Sequence, residues 1–279
     1  MSADAPHWRV ALDAAGRAGV ALRPLEDLED ADRARHVIDS VWGEQVLPRE
    51  LIRAFQHAGT TLIGAEDGDR FVGFVFGFAG LEPYLHVHSH MLAVLPPWRS
   101  RGVGFALKLA QRAVCLDHGI EEVRWTYDPL VARNARFNLV KLGAEAVRLL
   151  PAFYGEMTDR LNRGDRSDRF EVRWRLRSAR VERALRGEAT RPPLGEPLLR
   201  IEGGPDRPEP VETAAAARAG ATVAVPEDHL ALRLEDHELG RRWRDAAARC
   251  FQRCFELGLV AAWMSRTHGY VFQPQERVG

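Results

Sequence analysis

The sequence predicts an α/β (α+β) fold in which a mixed, mostly antiparallel central sheet is flanked by helices. Segments with the two-residue period of a strand alternate with segments that have the 3.6-residue period of a helix. Their order is β-α-α-β-β-β-α-β-α-β-β over about residues 20–178. One turn rich in arginine and glycine, within His88–Gly104, leads from a strand straight into a helix. A smaller α+β extension is predicted to follow.

Prolines and apolar spacing delimit the elements of the first half. Pro24 ends the first strand, because proline lacks the N–H that a sheet ladder needs. Pro48 suits the first turn of a helix, where its missing N–H costs nothing. Residues 1–19 have weak helical spacing through Trp8 and Leu12. The predicted elements are strand Val20–Leu25, helices Glu29–Trp42 and Pro48–Ala58, strands Thr60–Ala65 and Phe71–Leu81 as a hairpin around EDGD, and strand Leu85–Leu95.

The second half of the predicted domain begins with a helix whose apolar residues recur at spacings of three and four, and which Gly119 ends. The elements that follow are strand Glu122–Tyr127, helix Ala132–Leu142, and strands Val147–Tyr154 and Phe170–Leu176. Six prolines and four glycines in residues 187–210 then indicate a linker. The predicted organisation is an N-terminal segment 1–19, a domain 20–186, the linker 187–210 and an extension 211–279.

The extension has its own elements. Short strands are predicted at Ala221–Val225 and His229–Leu232, and a closing pair at Val260–Met264 and Tyr270–Phe272. Between them an apolar stripe has helical spacing. The stripe consists of Leu239, Trp243, Ala247, Cys250, Cys254 and Leu257. If this stripe were exposed, it would favour a homodimer.

Composition narrows the function classes. Lys+Arg and Asp+Glu both number 39, so the formal net charge is zero, which argues against a nucleic-acid partner. Three cysteines are too few for a disulfide framework and fit a reducing cytoplasm. No run of 18 apolar residues occurs, so no membrane span is predicted. We therefore expect a cytoplasmic protein without membrane or nucleic-acid partners.

The arginine and glycine turn favours anion binding. The first turn of a helix has N–H groups without intrahelical partners, and the helix dipole places partial positive charge there. Glycines let the backbone approach a phosphate closely, and arginines add charge-assisted hydrogen bonds. A pyrophosphate fits such a turn well. The alternative is an ordinary helix cap, since glycines before a helix also occur by chance.

The pattern Arg99-x-x-Gly102-x-Gly104, directly after the strand residues LAV, resembles the acyl-CoA-binding signature of the GNAT N-acyltransferase superfamily. The predicted element order is also that of the GNAT fold, and the extension resembles a bacterial GNAT subgroup of longer chains. The resemblance implies that the turn holds the pyrophosphate of coenzyme A, beside a strand that parts from its neighbour. The implied coenzyme A contacts are Leu92, Ala93, Val94, Arg99, Ser100, Arg101, Gly102, Val103 and Gly104.

The same resemblance implies transfer of an acyl group from acyl-CoA to an amine. Acetyl-CoA is the expected donor and succinyl-CoA the second choice, with a small molecule such as an amino acid as acceptor. The segment NARFNLVKLGA resembles the GNAT helix that follows the strand Glu122–Tyr127, so Asn134 and Asn138 are candidate cofactor contacts. Asn134 suits an ordinary first-turn residue equally well.

Two residues depart from the GNAT pattern in that helix. The second residue of its closing Gly-Phe pair is Ala144, and Leu139 stands where many members carry the tyrosine that protonates the departing thiolate. Tyr127 or Tyr154 is a candidate replacement, and bulk water is another. The missing tyrosine leaves a non-catalytic acyl-CoA-binding sensor or assembly module as the alternative function.

Three alternating histidines precede the turn. His86, His88 and His90 are two residues apart on a strand, so their side chains are predicted to share one side. HSHMLAV is similar to HLHALAV of one GNAT branch, in which two histidines assist deprotonation of the amine; the match falls on His88 and His90. Neutral imidazoles can accept a proton near neutral pH. A metal site is disfavoured, because one strand supplies only one wall of a tetrahedral site.

Asp128 and the arginines Arg124 and Arg133 are weaker candidates. Asp128 ends the strand Glu122–Tyr127 and can orient a histidine or bind a substrate ammonium, although Asp-Pro at a strand end is more often a turn. Either arginine can bind a substrate carboxylate.

Phe74, Phe76 and Phe78 are predicted to form one face of a core strand, and Cys250 and Cys254 to be core residues.

Overall fold

The computed structural model describes residues 5–43, 47–157, 164–204 and 207–275. The chain divides into two compact units. Of the described residues, unit 1 contains those up to Trp125 and unit 2 contains those from Thr126 onward. The predicted domain limits, 20–186 and 211–279, stay predictions. No helix in the described ranges is long and apolar enough to cross a membrane.

Unit 1 follows the predicted element order. Its helices are α1 (Pro6–Ala18), α2 (Leu28–Trp42), α3 (Arg49–Ala58) and α4 (Val103–Asp117). Its strands are β1 (Ala21–Pro24), β2 (Thr61–Asp67), β3 (Arg70–Gly80), β4 (His86–Val94) and β5 (Glu122–Tyr127), which runs into unit 2. The strands lie in the order β1-β2-β3-β4-β5. The first four pair antiparallel, and β5 is parallel to β4.

Local chemistry explains these boundaries. The Asp27 side chain accepts a hydrogen bond from the Asp30 N–H and so caps α2. Pro48 precedes the first residue of α3 as its N-cap. Asp67 pairs with Arg70, so the predicted hairpin turn contains two residues, of which Gly68 has a φ of 58°. That left-handed conformation favours glycine.

The core of unit 1 lies between α2, α3 and one face of the sheet. Ala34, Ile38 and Ile52 from the helices are buried against Phe74 and Phe76 of β3. Met91 and Ala93 of β4 belong to the same cluster. Side chains on the other face of the sheet meet α4, which in turn packs against α1. The prediction that Phe74 and Phe76 are core residues is confirmed.

Unit 2 begins within β5 and contains the rest of the chain. Its helices are α5 (Ala132–Arg136), α6 (Ala179–Leu185), α7 (His229–Glu235) and α8 (His237–Glu256). Its further strands are β6 (Glu145–Leu150), β7 (Arg169–Arg175), β8 (Pro197–Glu202), β9 (Glu209–Glu212), β10 (Thr222–Val223), β11 (Leu259–Ser265) and β12 (Gly269–Pro274). α5 continues as a π-helical turn over Phe137–Lys141.

The predicted extension shares a sheet with β6 and β7. The strand order in unit 2 is β7-β6-β11-β12-β10-β8-β9, and β11 pairs antiparallel with β6 at Ala261 and Ala146. The stripe residues within α8 are buried in this unit, with Trp243, Cys250 and Cys254 fully enclosed, whereas Leu257 at the C-cap is exposed. The stripe residues within α8 therefore give no exposed apolar face for a dimer interface, and the homodimer stays a prediction.

Three sequence predictions differ from the structure. Residues 197–202 lie in the predicted linker but form β8, which pairs with β9 and β10 despite Pro197 at its first position. His229–Leu232 belongs to helix α7, because Asp228 caps it by accepting a hydrogen bond from the Ala231 N–H. The predicted strand Val147–Tyr154 ends at Leu150, and residues 151–154 form a turn.

Candidate functional site

The turn between β4 and α4 is held in one conformation by local contacts. A short 3₁₀ helix covers Pro96–Trp98, and the Trp98 indole N–H donates to the Asp67 carboxylate at 2.9 Å. Ser100 has a φ of 63° and Gly102 a φ of 96°. The left-handed conformation costs a residue with a side chain about 1–2 kcal/mol. Strain of this kind at Ser100 is typical of sites where the backbone serves a ligand.

The first turn of α4 has the features of an anion site. No side chain caps the helix, and no acidic residue lies in its first turn, whereas α2 and α3 each begin with carboxylates. Arg99 and Arg101 are exposed at the turn, and the Arg99 Nε donates to the Val94 carbonyl at 2.9 Å. That bond fixes the guanidinium beside the end of β4. Partial and full positive charges thus converge here.

Gly104 lies at the start of α4 where a side chain would fit without a clash. A Cβ added there would lie 3.7 Å from Leu92 Cδ2 and 3.8 Å from Val94 Cγ2, which are ordinary van der Waals contacts. Packing within the protein therefore does not require glycine at this position. The room it leaves suits a ligand that approaches the N–H groups of the first turn closely.

A β-bulge in β4 changes the face of the sheet on which the following residues lie. Gly77 pairs with Ser89 and Phe76 pairs with Met91, so His90 is the extra residue of the bulge. Before the bulge the alternation places Ser89 towards α4. After it, Met91 and Ala93 join the core beneath α2 and α3, while Leu92 and Val94 lie next to Gly104. One strand thus carries the histidines and also borders the Arg/Gly turn.

His88 and His90 lie together on the face of Phe78. The ring centroid of Phe78 is 5.3 Å from that of His88 and 5.8 Å from that of His90, and the two imidazoles are 6.1 Å apart. Phe55 of α3 stacks on Phe78 at 5.6 Å. His88 is half-buried and His90 is the more exposed of the two, so both are accessible to an acceptor. His86 is buried, with its Nδ1 2.8 Å from the Tyr84 carbonyl.

Both accessible histidines favour the neutral form. Burial lowers the pKa of His88 to about 4, with the neighbouring charges of His90, His86 and Lys108 acting in the same direction. Burial also lowers the pKa of His90. Neutral imidazoles accept protons, so at neutral pH this pair can serve as a base.

A buried polar network beneath the bulge was not predicted from the sequence. The Lys108 Nζ donates to Ser89 Oγ at 2.9 Å and to Gln111 Oε1 at 2.8 Å, and lies 4.0 Å from the centroid of the Trp125 ring. Burial lowers the pKa of Lys108 to about 7. The available signal was a lysine flanked by Leu107 and Leu109 within an otherwise apolar helix.

Tyr127, a predicted proton donor, lies in the core of unit 2. Its hydroxyl is 3.2 Å from that of Tyr270, which donates to the Pro129 carbonyl at 2.7 Å. Its ring packs edge-to-face on Phe170, and burial raises the pKa of its hydroxyl above the usual range. These contacts argue against the predicted catalytic role of Tyr127. Tyr154 is exposed, with its hydroxyl 3.1 Å from Thr126 Oγ1.

Asp128, predicted to contact substrate, is held by a structural ion pair. Arg244 of α8 donates to both of its carboxylate oxygens, at 2.6 and 2.8 Å, and the Leu130 N–H donates at 2.8 Å. Burial opposes ionisation of Asp128, but Arg244 keeps its pKa below the usual range. Arg244 also pairs with Asp165. Both carboxylate oxygens are engaged, which argues against a substrate role for Asp128.

The remaining predicted contacts differ in exposure. Arg133 and Asn134 are exposed on α5, and Asn138 is buried in the π-helical turn. Arg124 donates to Glu122 at 2.5 Å and to the Tyr84 hydroxyl at 3.1 Å, so it is engaged within unit 1. Leu139 is fully buried. Across the described ranges, no group of three or more His, Cys, Asp or Glu residues is arranged to hold a metal ion.

Comparison with known proteins identifies the family. Residues 25–143 match the model of the acetyltransferase (GNAT) family. This part of the chain is a GNAT acetyltransferase domain. Members of the family transfer acyl groups from coenzyme A, and the domain includes the Arg/Gly turn and both histidines. No curated protein matches the chain.

Solved structures similar to the chain include other acetyltransferases. The Escherichia coli ribosomal-protein-S18-alanine N-acetyltransferase is 16% identical, with 57% of this chain and 96% of that chain covered and a TM-score of 0.47. Arabidopsis thaliana Naa50, in complex with a bisubstrate analogue, is 18% identical, with 56% of this chain and 97% of that chain covered and a TM-score of 0.46. The putative acetyltransferase yncA from Salmonella typhimurium, with acetyl-CoA, is 15% identical, with 57% of this chain and 95% of that chain covered and a TM-score of 0.46. The assignment of the GNAT domain rests on the match over residues 25–143.

Proposed function

We propose that this protein is an acyl-CoA-dependent N-acyltransferase that moves an acetyl group to the amine of a small molecule. The observation that carries the proposal is the arrangement along β4. Two accessible, neutral imidazoles, His88 and His90, lie on the strand that leads into a helix N-terminus with two exposed arginines. A proton acceptor on the strand and an anion site beyond its end suit acyl transfer from coenzyme A to an amine.

The Arg/Gly turn would hold the donor. The N–H groups of Gly102, Val103 and Gly104, with Arg99 and Arg101, suit the pyrophosphate of coenzyme A. Acyl-CoA supplies an acyl group activated as a thioester. The backbone of Leu92–Val94 borders this turn and is the candidate for stabilising charge that develops on the carbonyl oxygen. Asn134 and Asn138 stay predicted contacts.

The histidines would serve the acceptor amine. An ammonium group cannot attack a carbonyl, because its nitrogen has no lone pair. His90, as the exposed member of the pair, accepts the proton that the amine loses, directly or through water, and His88 is the second candidate. The amine nitrogen forms the new bond to the acyl carbon, the carbon–sulfur bond breaks, and the sulfur leaves with the electron pair and gains a proton. No covalent enzyme intermediate is needed, and Cys115 is buried within α4.

Thermal stability with added ligands tests the proposal. A ligand that binds the native state raises the melting temperature. Acetyl-CoA, succinyl-CoA and NAD are added separately; a rise with acetyl-CoA and none with NAD is expected, and a larger rise with succinyl-CoA would change the donor. Thiol release is then measured with a panel of amino acids and amines. No rise with any coenzyme A species would contradict the acyltransferase.

A non-catalytic acyl-CoA-binding module is the second candidate function. The buried Leu139 and the engaged hydroxyl of Tyr127 favour it, since neither supplies the proton that the thiolate needs. Acyl-CoA binding without turnover for any amine would support this module. Turnover that depends on His88 or His90 would exclude it.

A further inference from the structure

Helix α1 lies along α4 and runs antiparallel to it. At the end of α4, the Asp117 carboxylate is 2.7 Å from His7 Nε2 and accepts a hydrogen bond from the Trp8 indole N–H at 2.6 Å. At the opposite end of the pair, Ala18 is the last residue of α1 and Gly102 is the N-cap of α4. A Cβ added to Gly102 would lie 3.6 Å from the Ala18 Cβ. The C-terminus of α1 therefore lies beside the Arg/Gly turn.

The end of α1 is held in place by packing and by its own cap. The helix contacts α4 and β1, and its buried face consists largely of alanines, which are Ala11, Ala14, Ala15 and Ala18. Gly19 ends the helix with a φ of 70°, and its N–H donates to the Gly16 carbonyl at 3.1 Å. The Val20 N–H donates to the Ala15 carbonyl at 3.0 Å. These carbonyls at the negative end of α1 are thus already engaged.

Arg17 adds a positive charge at this place. It is the residue before Ala18, lies in the last turn of α1 and is exposed. Arg99 and Arg101 are exposed on the turn itself. A third guanidinium thus approaches the start of α4 from a neighbouring helix. Arginine suits a phosphate well, because its planar fork can donate two parallel hydrogen bonds.

Coenzyme A has two separate anionic groups, the pyrophosphate and a 3′-phosphate on its ribose. The first turn of α4 suits the pyrophosphate. The pantetheine arm must then run towards β4, so that the thioester approaches the strand that carries His88 and His90. The strand order is β1-β2-β3-β4, and α1 meets the sheet at β1, three strands away from β4. Arg17 therefore lies on the side of the turn where the ribose end of the donor is expected.

We propose that Arg17 binds the 3′-phosphate of coenzyme A, which makes α1 part of the donor site. The proposal rests on the proposed function, because it takes coenzyme A as the ligand of the Arg/Gly turn. The match to the family begins at residue 25 and does not include α1. Arg17 is accordingly a binding residue that this chain adds to the site, remote from the thioester.

Calorimetry with coenzyme A and with dephospho-coenzyme A, which lacks only the 3′-phosphate, tests the proposal on the full-length protein. The wild type is expected to bind coenzyme A about tenfold more tightly, as one charge-assisted contact predicts. Arg17→Gln is expected to raise the Kd of coenzyme A about tenfold and to leave the Kd of dephospho-coenzyme A as in the wild type. The variant then binds the two ligands alike.

Two further variants are the controls. Arg9→Gln removes an arginine from the same helix about 12 Å further along its axis, towards the end that meets Asp117, so the preference for coenzyme A should stay as in the wild type. Arg17→Lys keeps the positive charge without the planar fork and is expected to retain part of the preference. Thermal unfolding without ligand checks the fold of each variant.

The salt dependence of binding is an independent measurement. Salt screens the contact between an exposed arginine and a phosphate. The Kd of coenzyme A is therefore expected to rise more steeply with sodium chloride in the wild type than in Arg17→Gln. For dephospho-coenzyme A the two proteins should show the same salt dependence.

The outcomes distinguish this inference from the proposed function. If the wild type binds neither coenzyme A nor dephospho-coenzyme A, the proposed function itself fails. If the wild type binds both but Arg17→Gln leaves both Kd values unchanged, the acyl-CoA site stands and the role of Arg17 is overturned. Equal weakening of both ligands in Arg17→Gln also overturns it, because the arginine would then act on the pyrophosphate or on the fold. A wild type without preference for coenzyme A has the same consequence.

Discussion

The imidazoles of His88 and His90 lie 6.1 Å apart and share the ring of Phe78 as their common neighbour. Two protonated rings at this separation would repel each other, and burial disfavours charge on both. Both imidazoles therefore stay neutral below the pKa of an ordinary histidine. A neutral base that resists protonation keeps its function in mildly acidic solution.

This arrangement predicts the pH dependence of turnover. The pKa of His88 is lowered to about 4 and that of His90 is lowered as well, so the neutral forms persist as pH falls below the ordinary value of about 6.5. The acid limb of kcat/KM is thus expected below about 6.5. A limb at or above that value in steady-state rates would show that these imidazoles are not the base.

Replacing the histidines tests their role directly. His90→Ala is expected to lower kcat/KM about a hundredfold, as is typical for loss of a general base, while the Kd of acetyl-CoA is unchanged. His88→Ala reports on the second member of the pair. His36→Ala, at an exposed histidine of α2, is the matched control. Full activity in both active-site variants would leave water as the proton acceptor.

Periodicity could predict most of unit 1 but could not predict the bulge. The helices Leu28–Trp42 and Arg49–Ala58 and the hairpin of β2 and β3 lie close to their predicted bounds, because apolar spacing and turn residues mark them in the sequence. One extra residue at His90 leaves the pattern of residue types unchanged, yet it moves Leu92 and Val94 to the other face. Only the pairing of β4 with β3 shows where the extra residue lies.

Unit 2 shows a second limit of prediction from sequence, which is that contacts between residues far apart in the chain leave no local pattern. Asp128 and Arg244 are separated by 116 residues, and with so many arginines in the chain no spacing singles out the partner. The sequence therefore shows only that Asp128 lies at a strand end, and this position predicts a substrate contact. The prolines around residues 197–202 predict a linker, although the first position of a strand, where Pro197 lies, tolerates a proline that a strand interior does not.

The start of α4 offers a substitution that separates folding from binding. Gly104→Asp adds a carboxylate to the first helical turn, where it favours the helix by about 0.3–1 kcal/mol. The same carboxylate repels a pyrophosphate, so the Kd of acetyl-CoA is expected to rise about a hundredfold or more. Calorimetry measures the Kd, and thermal unfolding checks the fold.

Gly104→Ala is the control for this change. A Cβ at this position has only ordinary contacts within the protein, so the fold is expected to stay as in the wild type, and the Kd of acetyl-CoA is expected to rise much less than in Gly104→Asp. If Gly104→Asp binds acetyl-CoA as tightly as Gly104→Ala does, the anion does not lie at this helix N-terminus.

The buried ammonium of Lys108 predicts how stability depends on pH. Its pKa is about 7 in the folded protein, because burial disfavours the charge, and about 10.4 in the unfolded chain. Between these values the unfolded state binds more protons, so the free energy of unfolding rises with pH. Urea denaturation at about pH 7 and about pH 9 is expected to show this rise in the wild type and in Lys141→Met, which alters the only other lysine, an exposed one. In Lys108→Met the rise should be smaller, and an equal slope would contradict burial of the charge.

Tyr127 is expected to contribute to stability and not to the chemical step. Tyr127→Phe removes the hydroxyl that meets Tyr270, which costs about 1 kcal/mol of unfolding free energy. Because this hydroxyl is buried in unit 2, kcat should be unchanged at saturating acetyl-CoA and amine. Tyr270→Phe, which also removes the bond to the Pro129 carbonyl, should be at least as destabilising. A fall in kcat for Tyr127→Phe without loss of stability would restore Tyr127 as the proton donor.

The pair of Asp128 and Arg244 gives the largest predicted effect on stability. Arg244→Met leaves the largely buried carboxylate of Asp128 without the arginine that pairs with it, whereas Asp165 keeps Arg233 as a second partner. Loss of one partner of a buried pair costs about 3–5 kcal/mol. Asp128→Asn is also destabilising, and the double variant should lose less than the sum of the two, because the second change removes a charge already unpaired. Urea denaturation of the four proteins gives the coupling energy. The KM for the amine in Asp128→Asn separates this role from substrate binding: a raised KM with unchanged stability would show that the carboxylate binds the acceptor instead of Arg244.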